Sequence, residues 1–203
     1  MKKKSLWRKA LSLLLAGTVV MGSIHPTWAQ EIQTEESPQS AFSDSQEIAL
    51  KFEGNLDDAS ANHVSVTSSK EASYSEGISG QALSLDGSTY LDLGTSGALQ
   101  PEEMTVSFWL RATRALNGEH IIMWNKPSGA WDGEGWYISC LNDSRPLVLS
   151  VGAASKHLKE FEVAASRAEF FPIGEWVHVA ITYSSETEEA VFYRNGKAVT
   201  TTS

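Results

Sequence analysis

A glycine-rich stretch, residues 128–136, brings aromatic and acidic side chains together in a pattern that sugar recognition uses. It contains Trp131, Asp132 and Glu134 and ends at Trp136. Aromatic rings stack on the apolar faces of sugars, and nearby carboxylates accept hydrogen bonds from hydroxyl groups. We therefore predict carbohydrate contact by Trp131, Asp132 and Glu134, with an ordinary exposed loop as the alternative. Trp136 is expected to begin a strand and pack inward.

Trp109 is a second aromatic candidate for carbohydrate binding. It lies in Met104–Ala112, where apolar and polar residues alternate. This alternation predicts a strand with Phe108 on the core side and Trp109 on the opposite side. Trp109 either lines a ligand-binding face of the sheet or is covered by a loop.

The sequence shows no catalytic constellation, and the question of enzymatic activity stays open. It contains no G-x-S-x-G, phosphate-loop or H-E-x-x-H motif. His120 and His178 lie among apolar residues with no second His at metal-ligand spacing, so packed imidazoles are predicted. Cys140 is the only cysteine, which excludes an intrachain disulfide and predicts a small buried side chain.

The N-terminus has the parts of a secretory signal peptide. Five basic residues precede an apolar run from Leu11 to Ile24, and small residues stand at Thr27 and Ala29. We predict a signal peptide over residues 1–29, cleaved after Ala29, and a secreted or cell-surface protein with no membrane insertion after cleavage. The alternative is an uncleaved membrane anchor, although spanning a bilayer takes about 20 apolar residues.

Cleavage would leave a strongly acidic chain. Residues 1–29 hold five of the 16 Lys and Arg residues and none of the 25 Asp and Glu residues, so 11 basic and 25 acidic groups remain, a net charge of −14. This balance argues against nucleic acid and anionic lipid as partners, because phosphate binding needs clustered Lys and Arg. Neutral sugars and divalent cations are compatible with it.

The rest of the chain predicts an acidic, flexible leader over residues 30–46 and one folded domain over residues 47–203. Short alternating segments, separated by turn residues, predict strands over residues 47–53, 63–67, 81–93 in two pieces, 104–112, 120–125, 135–140, 146–151, 176–183, 189–194 and 197–200. Asn195-Gly196 predicts a type I′ hairpin turn. Residues 153–170 fit neither period. This spacing predicts an all-β sandwich or barrel.

Three blocks carry a family resemblance: GISGQALSLDGSTYLDL (77–93), MTVSFWLRA (104–112) and EWVHVAITYSSETEEAVFYRNGKAV (175–199). In order and spacing they resemble the bacterial laminin-G-like jelly roll of the concanavalin A-like lectin and glucanase superfamily. The resemblance covers about residues 47–200. It implies a two-sheet antiparallel jelly-roll sandwich. The superfamily's hydrolases carry Glu-x-Asp-x-x-Glu on one strand; the nearest acid pairs here, Glu160 with Glu162 and Glu188 with Glu189, lack that spacing.

The resemblance also implies a structural calcium in the loop after the first strand. Asp58 matches the position of an aspartate that often ligates calcium in the family. The same loop offers the Asp57 carboxylate and the Asn62 amide oxygen, out of the six to eight oxygens that calcium takes. An Asx turn with solvated carboxylates is the alternative.

Family members continue beyond the hairpin with further strands, one of which pairs with the opening strand, here residues 47–53. Without it, the opening strand would keep an open edge of N–H and C=O groups. We therefore expect the 203 residues to be a fragment of a longer protein, incomplete at the C-terminal end of the domain.

The resemblance and the acidic, exported chain favour a non-catalytic extracellular binding module for a glycan or cell-surface polymer. It would lie at the N-terminus of a larger secreted glycan-processing protein, in contact with the downstream domains. One alternative is a structural or adhesive module of a cell-surface protein that binds another protein. Another is an accessory domain that packs against a downstream hydrolase.

Overall fold

The computed structural model describes residues 13–22, 47–94, 99, 103–115, 118–126, 134–152 and 158–202, with the backbone alone for residues 13–22 and 202. In chain order the strands are β1 (Leu13–Gly22), β2 (Ile48–Leu50), β3 (Thr67–Ser68), β4 (Ser73–Glu76), β5 (Gln81–Ser84), β6 (Leu91–Asp92), β7 (Glu103–Ala112), β8 (His120–Asn125), β9 (Gly135–Cys140), β10 (Val148–Gly152), β11 (Lys159–Val163), β12 (Trp176–Ser184), β13 (Glu189–Arg194), β14 (Lys197–Ala198) and β15 (Thr201–Thr202). One short helix, α1 (Arg167–Phe170), precedes β12. No helix in the described ranges is long and apolar enough to cross a membrane.

The strands form two large antiparallel sheets that share one hydrophobic core, which confirms the predicted β-sandwich. The eight-stranded sheet has the order β14-β13-β12-β7-β1-β5-β4, with β2 also paired to β1. The five-stranded sheet has the order β15-β11-β10-β9-β8, and β3 pairs with β6 in a separate ribbon.

The alternation in β7 positions the core of the eight-stranded sheet. Met104, Val106, Phe108 and Leu110 are at most 3% exposed, whereas the residues between them are half-buried. β7 pairs with β12 along its whole length, and β12 lies between β7 and β13, as its apolar character predicts. A strand that is covered on one face and half-covered on the other shows this period of two.

The predicted Asn-Gly hairpin is confirmed. Asn195 and Gly196 have φ values of 49° and 77°, the positive values that a type I′ turn requires at both central positions. The turn sets the register of β13 against β14, with Arg194 opposite Lys197.

Several predicted strand boundaries differ from those in the structure, and the largest differences are in three segments. The opening strand covers only Ile48–Leu50, because Phe52 has a φ of 58° and leaves the extended conformation. The strand predicted over 63–67 is reduced to β3. The ambiguous residues 153–170 contain β11 and α1, whose Ser166 and Glu169 form a capping box.

The structure also places a strand where the signal peptide is predicted. Leu13–Gly22 forms β1, which pairs with β2, β5 and β7. The domain predicted to begin at residue 47 therefore includes an N-terminal strand in this structure. Cleavage after Ala29 stays a prediction.

Candidate functional site

The outer face of the five-stranded sheet carries a row of aromatic and polar side chains. The register pairs Trp124 with Tyr137, Tyr137 with Ser150, and Ser150 with Glu160, across β8, β9, β10 and β11. Residues paired in this way lie on the same side of a sheet. We define the polar face as this row together with two neighbouring residues: Trp124, Tyr137, Ser150, Glu160, Glu162 and Arg145.

Arg145 joins the two acidic residues of the polar face. Its Nη2 atom lies 2.6 Å from Glu160 Oε2, and its Nε atom donates to Glu162 Oε2. Burial lowers the pKa of Arg145, but the hydrogen bonds and charges of the two glutamates outweigh burial and raise it overall. Charge-assisted bonds of this kind fix the orientation of the guanidinium group. The side chains remain about one-third exposed, so a ligand can reach them.

Glu160 also accepts hydrogen bonds from the two buried residues of the row, Tyr137 and Ser150. Its Oε1 atom accepts hydrogen bonds from Ser150 Oγ at 3.3 Å and from the Tyr137 hydroxyl at 3.5 Å. Burial raises the pKa of Tyr137, the Ser150 hydrogen bond opposes this, and the charge of Glu160 adds to it. Burial and the charge of Glu160 raise the pKa of nearby Glu119, and Arg145 opposes the shift. The polar face therefore combines a neutral phenol, a hydroxyl, carboxylates and a guanidinium within one network.

An aromatic pair completes the polar face at the end of β8. The rings of Trp124 and Tyr137 stack with centroids 5.4 Å apart and an interplanar angle of 25°. The Trp124 Nε1 atom donates to the carbonyl of Lys126 at 3.2 Å, and Lys126 Nζ lies 5.8 Å from the Tyr137 ring centroid. Trp124 is half-buried, so part of the indole is open to solvent beside groups that donate and accept hydrogen bonds.

The predicted sugar-binding loop connects the strands that carry this aromatic pair. Trp131 and Asp132 lie outside the described residues, and Glu134 is exposed directly before β9. The pair next to the loop, Asn125 with Trp136, adjoins the pair Trp124 with Tyr137. Trp136 is 7% exposed and packs in the core, as predicted, with its Nε1 atom 3.1 Å from the carbonyl of Leu99.

Trp109 lies on the outer face of the other sheet. Its ring is half-buried and tilts against His178 with centroids 5.1 Å apart, and His178 Nε2 lies 2.8 Å from Ser107 Oγ. On the neighbouring pair, the Arg111 guanidinium lies 4.7 Å from the ring centroid of Trp176. Trp109 is therefore separated by the core from the polar face, and the sequence-predicted carbohydrate residues do not form one site.

Asp58, in the loop after β2, has a carboxylate that accepts four hydrogen bonds. Asp58 Oδ1 accepts from the N–H groups of Ala49 and Ser60 at 2.8 and 2.9 Å. Oδ2 accepts from Ser60 Oγ and from Val64 N–H, both at 2.8 Å. Burial raises the pKa of Asp58, but these hydrogen bonds outweigh burial and lower it overall.

This arrangement does not fit the calcium site that the family resemblance implies. A carboxylate has about four lone-pair positions, and four donors already occupy those of Asp58. Asp57 is exposed, and the Asn62 side chain donates to Glu47, with its Nδ2 atom 2.7 Å from Oε2. No group of three or more His, Cys, Asp and Glu residues is placed to hold a metal in the described part of the chain. Calcium binding stays a prediction that titration can test.

Sequence reasoning missed Arg145, and it noted Glu160 and Glu162 only as an acid pair that lacks the spacing of the hydrolase motif. The available signal is the Glu-Phe-Glu alternation of β11, which puts both glutamates on one face of a strand. Their link to Arg145 depends on how the loop after β9 folds back, which no local pattern shows. The predictions that Cys140 and His120 are buried are confirmed. Cys140 is fully buried, and burial raises its pKa to about 12; His120 is 6% exposed.

Comparison with known proteins agrees with this architecture. A laminin G family model, described as the concanavalin A-like lectin/glucanases superfamily, matches residues 85–203. The chain belongs to this superfamily. No curated protein matches its sequence.

Among solved structures, the binding domain of Paraclostridial Mosquitocidal Protein 1 is similar to this chain. The TM-score is 0.60 at 16% identity, over 92% of this chain and 40% of the toxin chain. At this identity the likeness shows the concanavalin A-like fold alone. The laminin-G-like chain thus spans less than half the length of that neighbour.

Proposed function

We propose that this laminin-G-like domain is an extracellular carbohydrate-binding module whose site is the polar face of the five-stranded sheet. The observation that carries the proposal is the row in which Tyr137 stacks on the half-buried residue Trp124 and donates to Glu160, which in turn pairs with Arg145. Sugar hydroxyls both donate and accept hydrogen bonds, and the network offers guanidinium donors and carboxylate acceptors. An aromatic surface next to a few fixed polar groups is the usual composition of a sugar site.

The charge balance supports a neutral sugar. Arg145 is already paired with two carboxylates, so its positive charge is balanced within the polar face. The loop residues Trp131, Asp132 and Glu134 are proposed to contribute from the end of β8 and β9. The toxin neighbour supports a binding role because its domain is described as a binding domain. A larger secreted glycan-processing parent is part of the same proposal.

A glycan array with matched variants tests the site. Arg145→Ala is expected to lower affinity for the bound glycan at least about 10-fold, since hydrogen bonds to charged groups contribute about 1.5–3 kcal/mol. Trp124→Ala is expected to lower it about 10-fold by removing the stacking surface. Arg111→Ala is the matched control, because Arg111 is a half-buried arginine on the other sheet.

The results separate the possible sites. Equal loss with Arg111→Ala and Arg145→Ala, or loss with Trp109→Ala alone, would move the site to the eight-stranded sheet. Saturable binding to a protein ligand, with no glycan bound by the native chain, would favour the adhesive module instead. Thermal unfolding of each variant shows whether lost binding reflects lost folding.

A further inference from the structure

A shallow cavity lies on the outer face of the eight-stranded sheet, at the end where β12 turns into β13. Its volume is about 210 Å³, and it is lined by residues of β7, β12 and β13 and by Thr187 of the connecting turn. Pockets that enclose a drug-sized ligand have about 300–1,000 Å³. This cavity therefore suits a smaller ligand, of about the size of one sugar ring.

Two glutamates stand on opposite sides of the cavity. The register pairs Ser184 of β12 with Glu103 of β7 on one side and with Glu189 of β13 on the other. Strands that flank a third strand are about 9–10 Å apart, so the two side chains can reach one small ligand from both sides. Among the described residues that line the cavity, none is Lys, Arg or His. The charge of the cavity is therefore negative and favours a cationic ligand.

Hydroxyl groups and one apolar side chain line the neighbouring row. Thr182 pairs with Thr105 of β7 and with Val191 of β13, on the same side of the sheet as the glutamates. A threonine hydroxyl both donates and accepts hydrogen bonds, as a sugar hydroxyl does. Val191 is 39% exposed, so it presents an apolar surface to the cavity. This row can contact both the hydroxyl groups and the C–H groups of a ring.

Both glutamates keep hydrogen-bonding capacity for a ligand. Glu103 Oε1 accepts from Ser184 Oγ at 2.8 Å, which uses one of the about four lone-pair positions of a carboxylate. The carboxylate of Glu189 makes no hydrogen bond or ion pair with the described part of the chain, and Glu189 is exposed. Two carboxylates are thus available to one cation.

The turn beside the cavity is held by the other sheet. Lys159 Nζ of β11 donates to the carbonyl of Glu188 at 2.7 Å and lies 3.5 Å from Glu188 Oε2. Thr187 N–H donates to Ser184 Oγ at 3.3 Å. Lys159 is therefore paired with a glutamate that does not line the cavity, and the turn that carries Thr187 is fixed from two sides.

We propose that this cavity is a second ligand site, which binds one amino sugar unit with a free ammonium group. The ammonium lies between Glu103 and Glu189, and the ring contacts the row of Thr105, Thr182 and Val191. A small ammonium ion without a ring would leave this row without a partner. The core separates the site from the polar face, so it functions whether or not the polar face binds a neutral sugar.

Titration calorimetry of the full chain with three small ligands tests the chemistry of the site. At about pH 6 glutamates are ionised, and glucosamine is expected to bind at least about 10-fold more tightly than N-acetylglucosamine. Both have the same ring, but acetylation removes the charge, and hydrogen bonds between charged groups are about twice as strong as neutral ones. Lysine amide supplies an ammonium group without the ring and is expected to bind more weakly than glucosamine. Equal or tighter binding of lysine amide or of N-acetylglucosamine would overturn the proposal.

Matched glutamate variants test the location. Glu189→Gln and Glu103→Gln are each expected to weaken glucosamine binding at least about 10-fold, because each removes a charge-assisted partner of the ammonium group. Glu186→Gln is the control, since Glu186 is exposed on the same turn and does not line the cavity; its affinity is expected to change less than about twofold. Equal losses in Glu186→Gln and Glu189→Gln would mean that the overall negative charge attracts the ligand, and would contradict the site.

The Arg145→Ala variant separates this site from the polar face. We expect it to bind glucosamine as the native chain does, because Arg145 lies on the other sheet. Loss of glucosamine binding in Arg145→Ala, with none in Glu189→Gln, would move the amino sugar to the polar face. No saturable binding of glucosamine by the native chain would overturn the second site and leave the proposal for the polar face intact. Thermal unfolding of each variant verifies that the fold is kept.

Discussion

The two large sheets are assembled from the sequence in different ways. Four strands of the five-stranded sheet, β8 to β11, are neighbours both along the chain and in the sheet. The eight-stranded sheet collects strands from residue 13 to residue 198, and one of its inner strands, β1, comes from the segment with an export pattern. One sheet is thus made by local hairpins, and the other depends on a long-range insertion.

This difference decides where binding functions can be placed. The polar face lies on the five-stranded sheet, whose pairing among the described strands includes no residue of 1–29. The eight-stranded sheet, in contrast, includes β1 between β7 and β5. Binding at the polar face and the stability of the eight-stranded sheet can therefore be tested separately.

The largest expected effect compares one buried leucine in each sheet of the full chain. Leu110 lies beside β1 and is 1% exposed, and Leu149 lies in β10 and is 0% exposed. Leu→Ala at either position is expected to lower the free energy of unfolding by about 2–5 kcal/mol, because each leaves a cavity in the core. Urea unfolding of both variants measures the loss.

A strong difference between the two losses of unfolding free energy would contradict the expectation that both sheets are equally well packed. A loss below about 1 kcal/mol for Leu110→Ala, together with the full loss for Leu149→Ala, would mean that Leu110 already lines an open groove. In that case β1 would not hold its place in solution.

Local patterns predict the parts of this fold that depend on neighbouring residues. The period of two in β7 and the Asn195-Gly196 turn are both readable from side-chain types. The strand β11 is hard to predict because it is five residues long and only two of its residues, Phe161 and Val163, are buried. The opening strand is shorter than its alternation suggests because the backbone at Phe52 turns to positive φ.

The candidate site could be predicted only in part, because its contacts join distant residues. Arg145 lies in the loop after β9, and the pairing of β10 with β11 brings Glu160 next to this loop. Two of the four donors to Asp58 are the N–H groups of Ala49 and Val64, which lie on opposite sides of it in the chain. An aspartate in an Asn- and Asp-rich loop gives the same local signal whether it binds a metal or caps backbone N–H groups, so only the fold separates the two.

A smaller effect is expected at Asp58, whose carboxylate accepts a hydrogen bond from Ala49 of β2 in the eight-stranded sheet. Asp58→Ala is expected to lower the free energy of unfolding by about 2–3 kcal/mol, because it leaves the N–H groups of Ala49 and Val64 without acceptors. Asp57→Ala is the matched control, and its effect is expected within about 0.5 kcal/mol because Asp57 is exposed. Thermal unfolding in EDTA and in calcium measures both.

The same variants give the sign of the pH dependence and test for calcium. The pKa of Asp58 is lower in the folded state, so its contribution is present above the unfolded value of about 3.9 and is lost as pH falls through the folded value. Asp58→Ala is expected to show no such acid-dependent loss. A calcium-dependent rise in melting temperature that is present in the native chain and absent in Asp58→Ala would instead support the predicted calcium site.

The smallest expected effect concerns His178, which lies beside Trp109 on the outer face of the eight-stranded sheet. Burial lowers the pKa of His178, so the folded state favours the neutral imidazole. The unfolded chain takes up a proton first as pH falls below about 6.5, and stability therefore decreases from there until the folded imidazole is also protonated. In the His178→Gln variant, the melting temperature is expected to depend less on pH between about pH 7 and pH 5. His63→Asn is the control, because His63 is exposed and Asn tolerates its φ of 45°. An unchanged pH profile in His178→Gln would show that the imidazole is solvated and that this outer face is open to solvent around Trp109.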